Sequence, residues 1–407
     1  MEVEREPVET RIGGTLLVEE EEEEEMREAS IENESRLLAL GMPPKNEKFK
    51  LKNFILRSNE HMSLLFLSTS VAFVWINSTK KKYFPVQLQL QLQSPTLGYA
   101  VSMVLSCPYP PFMSEDVVRE LQVQHKLQKS DIVIATYPKC GTTWAQQIVL
   151  EALNCHENIE APTKCPWKAS TWPEMSLSCS ARKAKISGAK AVFDYCKSCD
   201  SEKVRVLKTH APHHLRPWNA ESGNSGRVIV VTRNPFDAAV SMFHHACDNE
   251  VFQYDGRAQG GVDSFCENLW MEGKCESGDF WEWHASWRRE YEKKFSKKRI
   301  LWILYENLTR DPLGEVRKIV QFLELNVSEK EVNKIVGRSS FSTMKQNFSE
   351  NDAERAKKGE KIKKNHIRKG GVGGFQSIIS AQVLHKFKQL HTENCRRLDL
   401  NLELFPT

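Results

Sequence analysis

The chain has 407 residues, 40% of them apolar and 27% charged, so it can bury a full hydrophobic core and form one large domain with a tail, or two domains. Its net charge of +4 conceals an asymmetry, because residues 1–34 hold 14 acidic side chains against three arginines and carry −11, which leaves +15 on the rest. The basic residues of that remainder are dispersed, apart from a cluster at 355–369, whereas proteins that bind nucleic acids or membranes usually show a continuous basic stripe. The composition therefore disfavours both of those classes.

The N-terminal part of the chain, residues 1–105, shows little periodicity and no residues suited to chemistry. It contains seven consecutive glutamates at 19–25, a composition typical of a disordered, solvated tail. An apolar run at 62–76 is about 15 residues long, shorter than the roughly 20 residues that span a membrane. We therefore predict that residues 1–105 form an acidic disordered tail and an insertion, carry no membrane anchor and are dispensable for catalysis.

Eleven cysteines lie scattered between Cys107 and Cys395, without the dense, regular spacing of a disulfide scaffold. This distribution favours reduced thiols in a cytoplasmic protein. Cys196 and Cys199 have the spacing of a pair of zinc ligands, but no second such pair and no spaced histidine pair accompanies them. We predict no metal site.

From about residue 115 onward, short β-branched runs alternate with amphipathic stretches, which is typical of an α/β fold. The runs at 131–136, 204–208, 227–232 and 299–305 predict buried strands. Helical patterns follow three of these runs, and two of the helices begin with an Asn-Pro or Asp-Pro pair, which suits an N-cap followed by proline in the first turn. We predict one doubly wound domain at 106–395, with a central parallel sheet flanked by helices on both faces.

Unusual polar residues follow the first predicted strand, at the edge where an open parallel sheet binds ligands. The segment YPKCGTTW occupies 137–144 and leads into a helix. Lys139 supplies a charge, Gly141 permits close approach of the backbone, Thr142 and Thr143 offer hydroxyl donors, and the helix N-terminus offers free N–H groups. This combination predicts a phosphate cradle, although it is not a Walker A loop because the lysine precedes the glycine.

Two further strand ends carry candidate functional residues. Lys208-Thr209-His210 ends the second strand, where a neutral imidazole can take a proton from a hydroxyl group, although a lone histidine is more often structural. Arg233 ends the third strand, and Ser241 follows two helical turns later on roughly the same face. Arginine suits bidentate binding of a phosphate, with a surface salt bridge as the alternative.

A glycine-rich segment near the C-terminus, RKGGVGG at 368–374, places Arg368 and Lys369 directly before Gly370. Its glycines suit a loop that folds over a ligand. A flexible linker and an RNA-binding tail are the alternative interpretations.

Taken in order, YPKCGTTW, KTH, RNPFDAAVS and RKGGVGG resemble the motifs of the cytosolic sulfotransferase family over about residues 115–375. The resemblance implies a P-loop-like fold, a cytoplasmic location and transfer of a sulfuryl group from 3′-phosphoadenosine-5′-phosphosulfate to a hydroxyl or amine of a small organic acceptor, without a metal. It also implies that His210 is the catalytic base, and that Lys208 and Lys139 are catalytic cations that stabilise the transferring group and the leaving phosphate.

The same resemblance assigns the residues that bind the nucleotide. Those expected to hold the 5′-phosphosulfate, with the tryptophan against the adenine, are Lys139, Cys140, Gly141, Thr142, Thr143 and Trp144. Those expected to hold the 3′-phosphate are Arg233, Ser241, Arg368, Lys369 and Gly370. The remaining adenosine contacts match Tyr305, Ser339 and Phe341.

The chain departs from the family pattern in three places. Gly374-Phe375 stands where the family usually has Asp-Trp. The family's dimerisation pattern is degraded at 376–385, which predicts a monomer or an atypical dimer. Proline-bearing segments at 41–44 and 107–112 both resemble the entry to the family domain, which is typical of an insertion or of an error in the gene model.

Alternative functions fit fewer of these features. A nucleotide kinase would need a Walker lysine and an acidic strand end for Mg²⁺, and a membrane-anchored carbohydrate sulfotransferase would need a longer spanning segment. A nucleic-acid-binding protein could use the cluster at 355–369 but would leave YPKCGTTW unexplained. The acceptor cannot be read from the sequence. Aromatic residues in the variable segments suggest an aromatic wall for its pocket, with core packing as the explanation for some of them: Trp167, Trp172, Phe252, Phe265, Trp270, Trp281 and Trp283.

Overall fold

A computed structural model describes residues 98–199, 203–219, 226–293, 298–359 and 367–405, together with the backbone of three strands between residues 62 and 88. The acidic segment at 1–34 and the middle of the basic cluster at 355–369 lie outside these residues. The predictions made for those segments are therefore not addressed by the structure.

The strands of the described residues are β1 (Met62–Ser68), β2 (Val71–Asn77), β3 (Tyr83–Leu88), β4 (Ser102–Val104), β5 (Cys107–Tyr109), β6 (Ile132–Thr136), β7 (Val206–Thr209), β8 (Arg227–Thr232) and β9 (Ile300–Leu304). The α-helices are α1 (Glu115–Gln124), α2 (Thr142–His156), α3 (Pro166–Ala169), α4 (Pro173–Ala184), α5 (Gly188–Ser198), α6 (Pro235–Asp248), α7 (Gly261–Phe265), α8 (Phe280–Tyr291), α9 (Tyr305–Arg310), α10 (Pro312–Phe322), α11 (Glu329–Arg338), α12 (Phe341–Lys357) and α13 (Ala381–Arg397).

The apolar run at 62–76 forms β1 and most of β2, which belong to a three-stranded sheet of order β1-β2-β3. None of the helices in the described part of the chain has both the length and the apolar character to cross a membrane.

A parallel four-stranded sheet of order β7-β6-β8-β9 forms the centre of the larger body. In its register, Ile134 of β6 lies beside Lys208 on one side and Ile229 on the other. Because parallel strands end at the same edge, the loops after β6, β7, β8 and β9 emerge together. The register therefore brings the predicted motifs of the first three strands to one edge of the sheet.

Both faces of the central sheet are covered by apolar side chains, as the continuous hydrophobic runs predict for a buried parallel sheet. Val133 and Ala135 of β6 point to a core formed with α6, α8 and α13. Ile132 and Ile134 point to a second core formed with α2, α10 and α11. The alternation confirms the predicted α/β fold with helices on both faces.

The packed body begins upstream of the boundary that we predicted at residue 106. Tyr99 and Val101 are buried in the core that contains α6, and Val104 is buried beneath the β4–β5 hairpin. The hairpin turn is formed by Leu105 and Ser106, with φ of 51° and 65°. Such turns are normally marked by Asn-Gly or Asp-Gly, so this one gave no signal in the sequence. The C-terminal boundary also extends beyond 395, because residues 400 and 405 are buried.

Tyr99 provides a direct test of this boundary, because its ring stacks on Phe252 with 5.1 Å between centroids and an interplanar angle of 5°. Replacing Tyr99 with alanine should lower the free energy of unfolding of the full-length chain by about 3–5 kcal/mol, as for other buried aromatic residues. Tyr99→Phe keeps the ring and should change it by less than about 1.5 kcal/mol. Urea denaturation measures both variants, and an alanine variant as stable as the wild type would place the start of the domain near residue 106.

Candidate active site

The loop between β6 and α2 has a backbone that few residues can adopt. Lys139 has a φ of 70° and Gly141 a φ of 104°, and a Cβ at position 141 would approach Cδ2 of Tyr305 to 2.8 Å. Gly141 is the N-cap of α2 and provides no side-chain cap. The first N–H groups of α2 therefore remain available for an anion, as the sequence predicts for a phosphate cradle.

Arg233 crosses this loop at the end of β8. Its guanidinium lies 4.3 Å from the centroid of the Tyr305 ring, and it donates to the carbonyls of Lys139 at 3.1 Å and Gly371 at 3.0 Å. Its Nε is buried and has no hydrogen-bond partner among the described residues. A charged N–H group in this condition is costly unless it binds an anion, so the residues present fit a phosphate.

Positive charges are crowded around the cradle. The pKa of Lys139 is lowered to about 8, chiefly by burial and also by repulsion from Arg233 and Arg368, against the opposing attraction of Glu276. Burial and Arg233 likewise lower the pKa of Arg368. An anion between these side chains would offset their mutual repulsion, which agrees with the predicted phosphate site.

The loop at 368–376 is folded back onto the start of α6. Asp237, in the first turn of α6, accepts backbone N–H bonds from Gly373 at 2.6 Å and from Phe375 at 3.2 Å. Phe375 is 2% exposed and its ring centroid lies 5.1 Å from that of Phe236. Phenylalanine at the position of the family's tryptophan is therefore an anchor in the core of this chain, and Asp237 is a functional candidate that the motifs did not reveal.

Two of the predicted nucleotide contacts meet at this loop. Gly370 has a φ of 64°, and a Cβ there would approach Cδ2 of Phe341 to 2.1 Å. Phe341 itself is the first residue of α12 and is exposed. An aromatic face thus lies against the backbone of the glycine-rich loop.

His210 lies on the other side of the cradle, at the end of β7. Its Nδ1 is 2.9 Å from the carbonyl oxygen of Thr136, and because a carbonyl only accepts, Nδ1 carries the proton and Nε2 keeps its lone pair. The pKa of His210 is lowered to about 3, chiefly by burial and also by Lys208 and Lys139. The imidazole is therefore neutral at physiological pH and available as a proton acceptor through Nε2.

Trp172 connects the catalytic candidates. The Nζ of Lys208 lies 4.2 Å from the centroid of the Trp172 ring, a distance typical of a cation–π interaction. The same ring meets His210 edge-on, with 5.0 Å between centroids and an interplanar angle of 90°. Phe112 packs against the far side, at 6.5 Å.

The structure corrects most of the predicted aromatic wall. The side chains that are instead fully buried in the core with α6 and α8 are Phe252, Phe265, Trp270, Trp281 and Trp283. Their spacing fits core packing as well as a pocket lining, so the sequence could not separate the two roles. Trp172 and Trp167 remain partly exposed, and Trp167 packs on Phe348 of α12 at 4.2 Å.

The other residues predicted to contact the nucleotide lie on or beside several different helices. Trp144 and Tyr305 are in contact at 5.4 Å. Ser241 lies on α6 one turn before His244, whose pKa is lowered by burial and by Arg368. Ser339 is buried and donates its hydroxyl to the carbonyl of Ile335 at 2.7 Å, within α11.

Three residues of the YPKCGTTW segment have distinct positions. The Cys140 side chain is buried in the core, and its thiol pKa is raised by burial, so only its backbone could face an anion. Thr142 Oγ1 lies 2.6 Å from Thr136 Oγ1, below His210, and Thr143 is half-buried.

All eleven cysteines, including Cys140, are free thiols. Nowhere in the described ranges do three or more His, Cys, Asp or Glu side chains form a cluster suited to a metal ion.

Comparison with known proteins agrees with this geometry. The family model for a sulfotransferase domain matches residues 129–399. Among similar proteins are sulfotransferase 1B1 of Mus musculus, 30% identical over 265 residues that cover 64% of this chain and 81% of the mouse protein, and sulfotransferase 1C2 of Homo sapiens, 28% identical over 67% of this chain and 85% of the human protein. The amine sulfotransferase of Oryctolagus cuniculus is 26% identical over 68% of this chain and 84% of its own length.

Solved structures share the fold. Mouse sulfotransferase SULT7A1 in complex with PAP superposes with a TM-score of 0.56 at 24% identity, covering 74% of this chain and 96% of the mouse chain. Retinol dehydratase in complex with androsterone and the inactive cofactor PAP superposes with a TM-score of 0.57 at 16% identity, covering 81% and 91% of the two chains. With the family model matching two thirds of its length, the chain belongs to the sulfotransferase family.

Proposed function

We propose that this protein transfers a sulfuryl group from 3′-phosphoadenosine-5′-phosphosulfate to a hydroxyl or amine of a small organic acceptor, in the cytoplasm. The observation that carries the proposal is a neutral His210 beside a cluster of cations in which the buried Nε of Arg233 has no hydrogen-bond partner among the described residues. Two structures of the same fold were solved in complex with PAP, which supports this choice of donor. We also propose that the protein is a monomer or an atypical dimer.

The donor's two anionic ends have separate candidate sites. Lys139, with the N–H groups and hydroxyls at 140–144, would hold the 5′-phosphosulfate at the start of α2. Residues at the loop and on α6 would hold the 3′-phosphate: Arg233, Ser241, Arg368, Lys369 and Gly370. The adenosine would lie among Trp144, Tyr305, Ser339 and Phe341.

When bound, the donor supplies a sulfuryl group attached to a phosphate that can leave. His210 Nε2 would accept the proton from the acceptor's hydroxyl or amine as its heteroatom attacks sulfur. Lys208 and Lys139 would stabilise the negative charge that grows on the transferring group and on the departing phosphate. Since both lysines lower the pKa of His210 in the free protein, an anion beside them would raise it and make the imidazole a stronger base.

His210→Ala tests the function and the base together. With radiolabelled donor and 2-naphthol or 2-naphthylamine as acceptor, we expect the wild type to form a labelled product and the variant to lose about 10²–10⁴-fold in kcat, because general base catalysis contributes that much. His214→Ala is the matched control, since that side chain is exposed and lies four residues further along. A His210→Ala enzyme that keeps more than a tenth of wild-type kcat would refute the assignment, and an inert wild type would refute the function.

Asp237 tests the loop's role at the 3′-phosphate. Adenosine 3′,5′-bisphosphate should raise the melting temperature of the wild type more than 5′-AMP does. Asp237→Ala frees the N–H groups of Gly373 and Phe375, and removing such charge-assisted bonds should weaken bisphosphate binding by about 10- to 100-fold, with 5′-AMP binding little changed.

The control for this variant is Asp263→Ala, because Asp263 also accepts a backbone N–H, from Ser380 before α13. Calorimetric titration of both nucleotides measures the affinities. Equal losses for the two nucleotides, or the same loss in the control, would show that Asp237 does not act through the 3′-phosphate loop.

A further inference from the structure

A buried carboxylate lies directly behind the KTH motif. Glu174, in the first turn of α4, has no solvent exposure, and its Oε1 accepts a hydrogen bond from Thr209 Oγ1 at 2.5 Å. Thr209 Oγ1 in turn accepts the N–H of Ala211 at 3.0 Å. The Thr209 hydroxyl thus links Thr209 to Ala211, the residues on either side of His210. Its hydrogen bond to Glu174 fixes the direction of the hydroxyl.

The second oxygen of Glu174 faces the aromatic side of the site. Oε2 and the indole Nε1 of Trp172 are both buried, and neither makes a hydrogen bond within the described residues. The indole N–H nevertheless lies near enough to the carboxylate to lower its pKa, though less than the Thr209 hydroxyl does. The Trp172 ring carries Lys208 on its face and His210 at its edge. Glu174 therefore lies next to Thr209 and Trp172, the two side chains that contact or flank His210 and Lys208.

Burial of the charged Glu174 carboxylate is energetically unfavourable. Burial raises its pKa to about 7, against the lowering effects of the Thr209 hydroxyl and of Lys208. The ionisable groups that face it are Lys208 on β7 and Tyr109 on β5. The Tyr109 hydroxyl is buried without a hydrogen-bond partner in the described part of the chain, and its pKa is raised by burial, by Cys107 and by Glu174. A buried carboxylate that weakens the fold at neutral pH is typical of functional sites.

We propose that Glu174 is a positioning residue of the transfer reaction, whose ionised carboxylate, acting through Thr209 and Trp172, holds the Lys208 ammonium and the His210 imidazole in place at the cradle. The inference rests on the proposed function, because it concerns the same site. The effect of Glu174 passes through the side chains that it holds, Thr209 and Trp172.

The pH dependence separates this role from that of His210. In the free protein His210 is neutral above about pH 3, so its titration cannot limit kcat/KM, which reports the free enzyme, near neutrality. Glu174 loses its charge as the pH falls through about 7, and both kcat and kcat/KM should fall with it. An acidic limb near pH 7 in the profile of kcat/KM therefore reports Glu174.

Stability should change in the opposite direction. The pKa of Glu174 is higher in the folded chain than the ordinary value of 4.5, so its contribution to stability is present below that value and is lost as the pH rises through about 7. Glu174→Gln has no such titration. The variant should therefore melt no lower than the wild type at about pH 8, while its activity is reduced.

The experiment measures kcat, the KM of the donor and the melting temperature of Glu174→Gln between about pH 5.5 and 8.5, with 2-naphthol as acceptor. Sulfate release to water provides a second rate that needs no organic acceptor. We expect kcat about 10- to 100-fold lower at pH 8, a donor KM within about threefold of the wild type, and loss of the acidic limb. Thr209→Val should share the loss of kcat, and Thr209→Ser should restore most of it.

Glu151→Gln is the matched control, because Glu151 is equally buried but pairs with Arg338 at 3.1 Å, beside α11. It should lower the melting temperature and leave the pH profile unchanged. If Glu174→Gln keeps wild-type kcat and the acidic limb while the wild type is active, the inference is wrong. Equal losses of stability and activity in the Glu174 and Glu151 variants would show a merely structural role, and an inert wild type would instead remove the proposed function.

Discussion

Repulsion between half-buried cations at one edge of the sheet is the constraint on which the site depends. Arg233 and Arg368 lie close enough to Lys139 to add to the lowering of its pKa by burial, and Arg233 also lowers the pKa of Arg368. The fold offsets this repulsion with the ring of Tyr305 and the carbonyl of Gly371 at Arg233 and with the carboxylate of Glu276 near Lys139. Such an arrangement is stable enough to form, and it gains most from a ligand with more than one negative charge.

The rest of the fold supplies the rigidity that this crowding requires. β6 is buried on both faces, so the loop that follows it starts from a fixed backbone. Gly141 and Tyr305 then pack so closely that no side chain fits at position 141. On the other side of β6, Thr136 sets the tautomer of His210 through its carbonyl. The anion site and the proton acceptor are therefore positioned by the same strand.

The sequence predicted the features of this arrangement that depend on residues close together in the chain. Continuous apolar runs predicted the central strands, and the residue types of YPKCGTTW predicted an anion site at the start of α2. It missed features whose partners are distant in the chain. Asp237 bonds to a loop 136 residues away, and Glu174 acts on Thr209, 35 residues away. The β4–β5 hairpin was missed because non-glycine residues occupy its turn, and buried tryptophans resembled a pocket wall because periodicity does not distinguish a core from a cleft.

The most direct test of the central claim is the proton uptake that accompanies binding of adenosine 3′,5′-bisphosphate at about pH 8.5. Because Lys139 has a pKa of about 8 in the free protein, it is mostly neutral at that pH, and phosphates placed beside it should raise its pKa and draw in a proton. Calorimetric titrations in buffers of different ionisation enthalpy measure this uptake. We predict a net uptake of up to about three quarters of a proton that disappears in Lys139→Met, and binding without proton uptake in the wild type would contradict the central claim.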